Sequence, residues 1–154
     1  QTLEQIMQVL HNRYGERISM VDVRLRENLP AAFCEPTHLA QVLTNLVGNA
    51  LEYTQAPIHV AASVRRGWLE VTVSDEGQGL PSERVETLFQ KTGPAGQNRA
   101  RGGLGLGLYL CRLVVERSFG GKLWLDKTGK TGTTFKFTVQ AAEPVEERQA
   151  VGVG

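Results

Sequence analysis

In the stretch "QVLTNLVGNALEYT", Gln41, Asn45, Asn49 and Tyr53 recur at four-residue spacing. On a helix they would share one face, and that face would be polar without carrying charge. A solvated helix face usually carries Lys and Glu; an amide stripe suits a place where hydrogen bonds or a cation must be met without excess charge. A second group lies in "SDEGQGLP", where Asp75 ends an alternating apolar run and Gly77 and Gly79 follow it. A plain turn would look much the same. A strand-end carboxylate beside two glycines, however, also lets backbone approach a flat ligand while the carboxylate accepts a hydrogen bond from an exocyclic amine such as adenine's. The third group is "RARGGLGLGLYLCRLVVERSFGG", in which Gly102, Gly103, Gly105 and Gly107 run straight into an apolar helical pattern. Glycines at a helix start cost nearly ~1 kcal/mol each relative to Ala. They are explained by a hinge, by close helix packing, or by free N–H groups and the positive end of a helix dipole converging on a phosphate. No Lys-Ser/Thr follows them as in a P-loop, and no strand leads directly into them as in a dinucleotide fold.

The elements that must hold these groups can be read from periodicity. "TLEQIMQVLHNRY" has Leu3, Ile6, Met7 and Leu10 at helical spacing, and "ISMVDVRL" alternates loosely through Ile18, Met20 and Val23 as a strand does. The amide stripe shares its helix with Leu39, Val42, Leu43, Leu46, Val47, Ala50 and Leu51, which follow the i, i+3, i+4 rule. "PIHVAASVRRGWLEVTVSDEG" predicts two strands turned at "RRG", with Leu69, Val71 and Val73 alternating toward Asp75. A short helix in "PSERVETLFQ" has Ser82 as its candidate cap. A helix from about Leu106 to Phe119 is expected to stop at Gly120 and Gly121, and a final strand pair, "KLWLDK" and "TTFKFTVQ", to turn at "TGKTG".

The composition bounds the rest. A chain of 154 residues, 41% hydrophobic and 21% charged, suits one domain with a real core. Its net charge of +1, without blocks of like charge, implies neither a nucleic-acid surface nor direct contact with an anionic membrane, so an anionic ligand must be caught locally. Cys34 and Cys111 lack metal-ligand spacing and read as reduced, buried thiols. No apolar run reaches the ~20 residues of a membrane span, and a cytoplasmic domain cut from a larger, possibly membrane-anchored protein is the expectation.

In order, "QVLTNLVGNALEYT", "DEGQGL", "LFQK" and "GGLGLGL" resemble the asparagine box, first glycine box, phenylalanine box and second glycine box of the ATP-binding catalytic domain of sensor histidine kinases. The resemblance covers about residues 36 to 140. It implies an α+β fold: a two-layer sandwich whose mixed, mostly antiparallel sheet of about five strands carries three main helices on one face. This is the Bergerat fold, shared with gyrase, the mismatch-repair ATPases and the heat-shock chaperone ATPase. The catalytic domain would occupy residues 1–141, with an ATP lid at about 91–102 and a disordered tail at 142–154.

By position, the resemblance makes Asn49 the magnesium ligand, with Asn45 and Gln41 on the same face, and Asp75 the carboxylate that reads adenine. Tyr53 would lie near the adenine, Gly77 and Gly79 would shape its pocket, and Lys91 would stand near the phosphates. Gly103, Leu104, Gly105, Leu106, Gly107 and Leu108 would bring the lid and helix start to the phosphates. The cofactors implied are ATP and Mg2+. The partners implied are a response regulator and an upstream dimerisation domain bearing the acceptor His.

Two positions depart from the family pattern. Glu52 stands where many members have Lys, placing an acid near a polyphosphate, for which Lys91, Arg99 or Arg101 could compensate. Thr92 stands where a second aromatic often follows Phe89, so lid anchoring is expected to be weak. Asn45 occupies the position where the related ATPases have a water-activating Glu, which favours transfer to a protein over hydrolysis. His11, His38 and His59 lack acceptor-box surroundings and read as structural or surface residues, so the chain is expected to bind ATP without phosphorylating itself. An anti-sigma-type serine kinase and a module impaired in nucleotide binding are the alternatives.

Overall fold

The computed structural model describes residues 3–25, 29–90 and 106–142. Helix α1 (Leu3–Tyr14) passes through a tight 3-10 segment (Gly15–Met20) into β1 (Val21–Arg24). Helix α2 (Pro36–Tyr53) leads to β2 (Ile58–Arg65) and β3 (Trp68–Asp75), and the short α3 (Ser82–Val85) follows. Helix α4 (Leu106–Val114) ends in a wide π turn (Val115–Phe119) before β4 (Leu123–Gly129) and β5 (Gly132–Gln140).

The five strands form one sheet in the order β1-β2-β3-β5-β4, with β1 parallel to β2 and every other pair antiparallel. Strand alternation decides which side the helices cover. Leu69, Val71 and Val73 of β3 point to the same side as Phe135, Phe137 and Val139 of β5, and all six are buried. The opposite face is mostly polar, with Trp68 and Trp124 among its residues, and there Lys136 pairs with Glu70 at 3.3 Å. Helix α2 lays its stripe of Val42, Leu43, Leu46, Val47, Ala50 and Leu51 into this core, with α1 and α4 packed on either side of it. The expected α+β two-layer architecture is therefore the observed one.

Local chemistry explains the boundaries. Proline at the first position of α2 suits a helix start because its missing N–H would lack a helical partner anyway. The β2–β3 hairpin turns on Arg66 and Gly67, both with positive φ (53° and 84°), which matches the twist of the flanking strands. Gly120 takes the left-handed conformation (φ 67°) that ends the α4 segment, as the paired glycines predict.

Three expectations change. The strand expected from Ile18 begins only at Val21, because Gly15–Met20 coils first, so the apparent alternation of Ile18 and Met20 is not strand alternation. Ser82 is the first helical residue rather than a cap; Pro81 holds the cap position with no side-chain hydrogen bond. The regular helix from Leu106 closes at Val114, and the π turn carries the remaining residues so that Val115 and Phe119 are both buried.

Candidate functional site

Asp75 is a charged residue at the last position of a buried row. The alternation that buries Leu69, Val71 and Val73 turns Asp75 toward the helices, where it is only 6% exposed. Its Oδ1 accepts the Gly77 N–H at 2.8 Å, an Asx turn that fixes the carboxylate and the following loop together. A side chain at Gly77 would bring its Cβ to 2.6 Å from Thr54 Oγ1 and 3.0 Å from Asp75 Oδ1, so the absence of a side chain lets the loop close against the end of α2.

Gly79 packs against a neighbour that the sequence does not mark. Its φ is +88°, and a Cβ there would lie 2.3 Å from the Gly129 carbonyl oxygen. The glycine thus seats the loop on the β4–β5 hairpin. Leu80 N–H donates to Thr128 Oγ1 at 2.8 Å, Thr128 and the buried Thr133 share a 2.8 Å hydroxyl hydrogen bond, and Gly132 packs against the Asp75 carbonyl. The sequence marks "TGKTG" only as a turn; its Thr128, Gly129 and Gly132, with Thr133 just after it, clamp the loop that follows Asp75.

Asn49 lies about five residues before Thr54 on α2, a separation of roughly 8 Å along the axis. The distance suits a ligand that offers different chemistry at its two ends. Asn49 is 8% exposed, and its Nδ2 is buried with no hydrogen-bond partner among the described residues. An unmet amide of this kind costs about 1–3 kcal/mol. It borders a cleft of about 200 Å³ that Thr44, Asn45, Gly48, Glu52 and Gly107 also line, together with Arg13 and Tyr14 from α1. A carboxamide oxygen can ligate a hard cation, so the residue fits a magnesium ligand by its chemistry, and the unmet Nδ2 donor shows a side chain not committed to a contact among the described residues.

The remaining residues of the amide stripe separate. Gln41 is exposed, and Asn45 is half-buried on the cleft wall beside Cys111, whose thiol donates to the Val42 carbonyl at 4.0 Å. Burial pushes the Cys111 thiol up to about 11, against the opposing effect of Asn45. The Cys111–Val42 contact ties α2 to α4. Gly107 reaches the cleft from the first turn of α4, whereas the Leu108 side chain is fully buried in the core, leaving its backbone as the part that could face a ligand. Lys91, Gly103, Leu104 and Gly105 lie outside the described residues, as do the proposed lid, Thr92, Arg99 and Arg101, and the side chains of Tyr53 and Leu106.

Glu52 points to α1, accepting a hydrogen bond from the Tyr14 hydroxyl at 3.0 Å. Burial, followed by this contact with Glu52, raises the Tyr14 pKa. Phe89 sits edge-on to Phe135 (centroids 6.3 Å apart) beneath the Arg112 guanidinium, which is 4.6 Å from its ring centroid. Arg112 was missed in the sequence because nothing local marks a helix residue as the cover of a distant ring. The three histidines have surface or structural settings: His11 is exposed, His38 has a buried Nδ1 with no partner among the described residues, and His59 lies between Asp22 and Glu76 at 3.5 and 2.6 Å. Among the described residues no group of His, Cys, Asp and Glu could hold a metal by itself, and no helix is long and apolar enough to cross a membrane.

Comparison with known proteins places this geometry. The family described as "Histidine kinase-, DNA gyrase B-, and HSP90-like ATPase" matches residues 34–143. The adaptive-response sensory kinase SasA of Synechococcus elongatus is 30% identical over 140 residues, covering 89% of this chain and 36% of that protein. The SasA protein of Thermosynechococcus vestitus is 37% identical over 115 residues, covering 73% and 30%. The chain thus spans about a third of the length of these curated relatives. The solved catalytic domain of histidine kinase ThkA superposes with a TM-score of 0.69 at 28% identity, covering 90% of this chain and 92% of that one. Full-length ShkA in complex with AMPPNP shares the fold, with a TM-score of 0.72 at 23% identity and 92% of this chain covered.

Proposed function

The chain belongs to the histidine kinase-, DNA gyrase B- and HSP90-like ATPase family and is an ATP-binding domain of the histidine kinase type; from that premise we propose that it binds Mg-ATP and, within a longer protein, passes the γ-phosphoryl group to a histidine on an upstream dimerisation domain. Asp75 accepts the exocyclic amine of adenine, with Gly77 and the Tyr53 ring beside the base. Asn49 holds magnesium in the cleft that Asn45, Glu52 and Gly107 also line, and Lys91, Gly103, Leu104, Gly105, Leu106, Gly107 and Leu108 serve the phosphates. A bound magnesium ion would screen phosphate charge. This chain's contribution is to orient the nucleotide and stabilise charge, which phosphoryl transfer needs more than covalent help. Residues 1–141 form the catalytic domain, with 142–154 as a tail, and the domain works on the cytoplasmic side.

The observation that carries this reading is Asp75: a carboxylate 6% exposed, fixed by the Gly77 N–H and facing the helix layer. No carboxylate stands at position 45 to activate water, so transfer to a protein is favoured over hydrolysis. The acceptor would lie outside this chain, with a response regulator next in line. A solved complex of ThkA with the response regulator TrrA includes a domain of this fold, which supports that partner class.

Calorimetric titration with Mg-ATP is the test. Saturable binding is expected, with Asp75→Asn lowering affinity by about tenfold or more, the effect of losing a hydrogen bond to a charged group. An unaltered chain that takes up no nucleotide would overturn the proposal. Incubation with radiolabelled ATP should leave this chain unlabelled; joined to its His-bearing domain it should acquire acid-labile phosphate.

A further inference from the structure

The nucleotide cleft includes a wall that the four sequence motifs do not contain. Arg13 and Tyr14, at the end of α1, line it together with Asn49 and Gly107. Two contacts pin this segment onto α2: Tyr14 Oη donates to Glu52 Oε2 at 3.0 Å, and an Arg17 guanidinium nitrogen donates to the Thr54 carbonyl at 2.9 Å. They bracket the last turn of α2. Gly48 provides the opening for the Tyr14 ring, since a Cβ there would come within 2.6 Å of the Tyr14 hydroxyl. Arg13 lies against that ring, 5.7 Å from its centroid, and its guanidinium forms no ion pair among the described residues.

Resting on the Mg-ATP reading above, we propose that Arg13 is the phosphate-side cation of this nucleotide site, held there by the docking of Tyr14 on Glu52 and Gly48. Position 52 carries an acid, so α2 itself brings negative charge to the cleft. A polyphosphate next to that carboxylate needs a compensating cation, and a guanidinium offers forked donors that match phosphate oxygens. Glu52 is then the anchor for the segment that supplies the charge. The site is completed by α1, which joins the nucleotide to the N-terminal end of the domain.

Competition binding on the 154-residue chain, using ATP and AMP as probes, tests this. Arg13→Gln is expected to weaken ATP by about five- to tenfold, the range for one charge-assisted contact, and to leave AMP within about twofold. Asp75→Asn should weaken both nucleotides alike. Adding Glu52→Lys to Arg13→Gln should restore ATP affinity by placing a cation on α2. Thermal melting of each variant checks folding. Unchanged ATP affinity in Arg13→Gln, an equal loss for ATP and AMP, or no recovery in the double variant overturns the role of Arg13 while the nucleotide site stands. No binding of either nucleotide by the unaltered chain overturns both.

Discussion

Asn49 and Asp75 are both buried polar side chains, and their hydrogen bonding separates what each does for the fold. Asp75 fastens the Gly77 N–H, so a change there costs stability as well as binding. Asn49 Nδ2 meets nothing among the described residues, so Asn49→Ala removes an unmet group. Urea denaturation should show Asn49→Ala within about 1 kcal/mol of the parent, while magnesium-dependent nucleotide affinity falls at least about tenfold. A large stability loss would instead mark Asn49 as a structural residue. The thiols divide in a similar way: Cys111 is buried and raised to about 11, whereas Cys34 is half-buried and raised by burial and then by Glu35. Iodoacetamide at neutral pH should therefore modify Cys34 first, with Cys111 reacting only as the domain opens; peptide mass mapping over time reads the order.

Among the elements, the glycines differ in what surrounds them, and their substitutions should differ accordingly. Gly79 combines φ +88° with a neighbouring backbone carbonyl that cannot move cheaply. Gly79→Ala should cost about 1–3 kcal/mol or more in denaturant melts, because left-handed strain and a backbone clash add. Gly48 faces only the end of the flexible Tyr14 side chain. Gly48→Ala should leave global stability nearly intact while displacing Tyr14 and loosening α1. Hydrogen exchange is the discriminating measurement, with α1 amides gaining rate and β3 and β5 amides keeping their protection. Equal change in both would show that α1 and the sheet open together.

For the molecule as a whole, the perturbed groups set a pH limit on the alkaline side. Burial raises the Tyr14 and Cys111 pKa values above the ordinary values of a tyrosine and a cysteine, 10.0 and 9.0. Each ionises less readily in the folded state, so the unfolded chain loses its protons first. Their contribution to stability is complete below pH 9 and declines above it, as Cys111 titrates toward about 11 and Tyr14 from 10 upward. Chemical denaturation between pH 8 and 11 should show this fall, and Tyr14→Phe should flatten its upper part. Asp22 shifts the other way, lowered first by its hydrogen bond to Arg24, but it stands in solvent and contributes little to acid stability.

The sequence alone determined the family, the α+β layering and the placement of Asp75, because these follow from periodicity and motif order, which are local properties. The alternation of Leu69, Val71 and Val73 already places Asp75 on their side of the strand, and the apolar stripe of α2 leaves Asn49 on the other face of its helix. Contacts between segments far apart in the chain required the tertiary structure. Glu52 looked like a defect until Tyr14, 38 positions away, was found bonded to it. Nothing local to Gly79 marks the Gly129 carbonyl packed against it, and nothing local to the "TGKTG" turn marks Thr128 as holding Leu80. Each of these depends on which elements pack together, and the packing of the whole sheet and its helices sets that, leaving no periodic mark in the sequence.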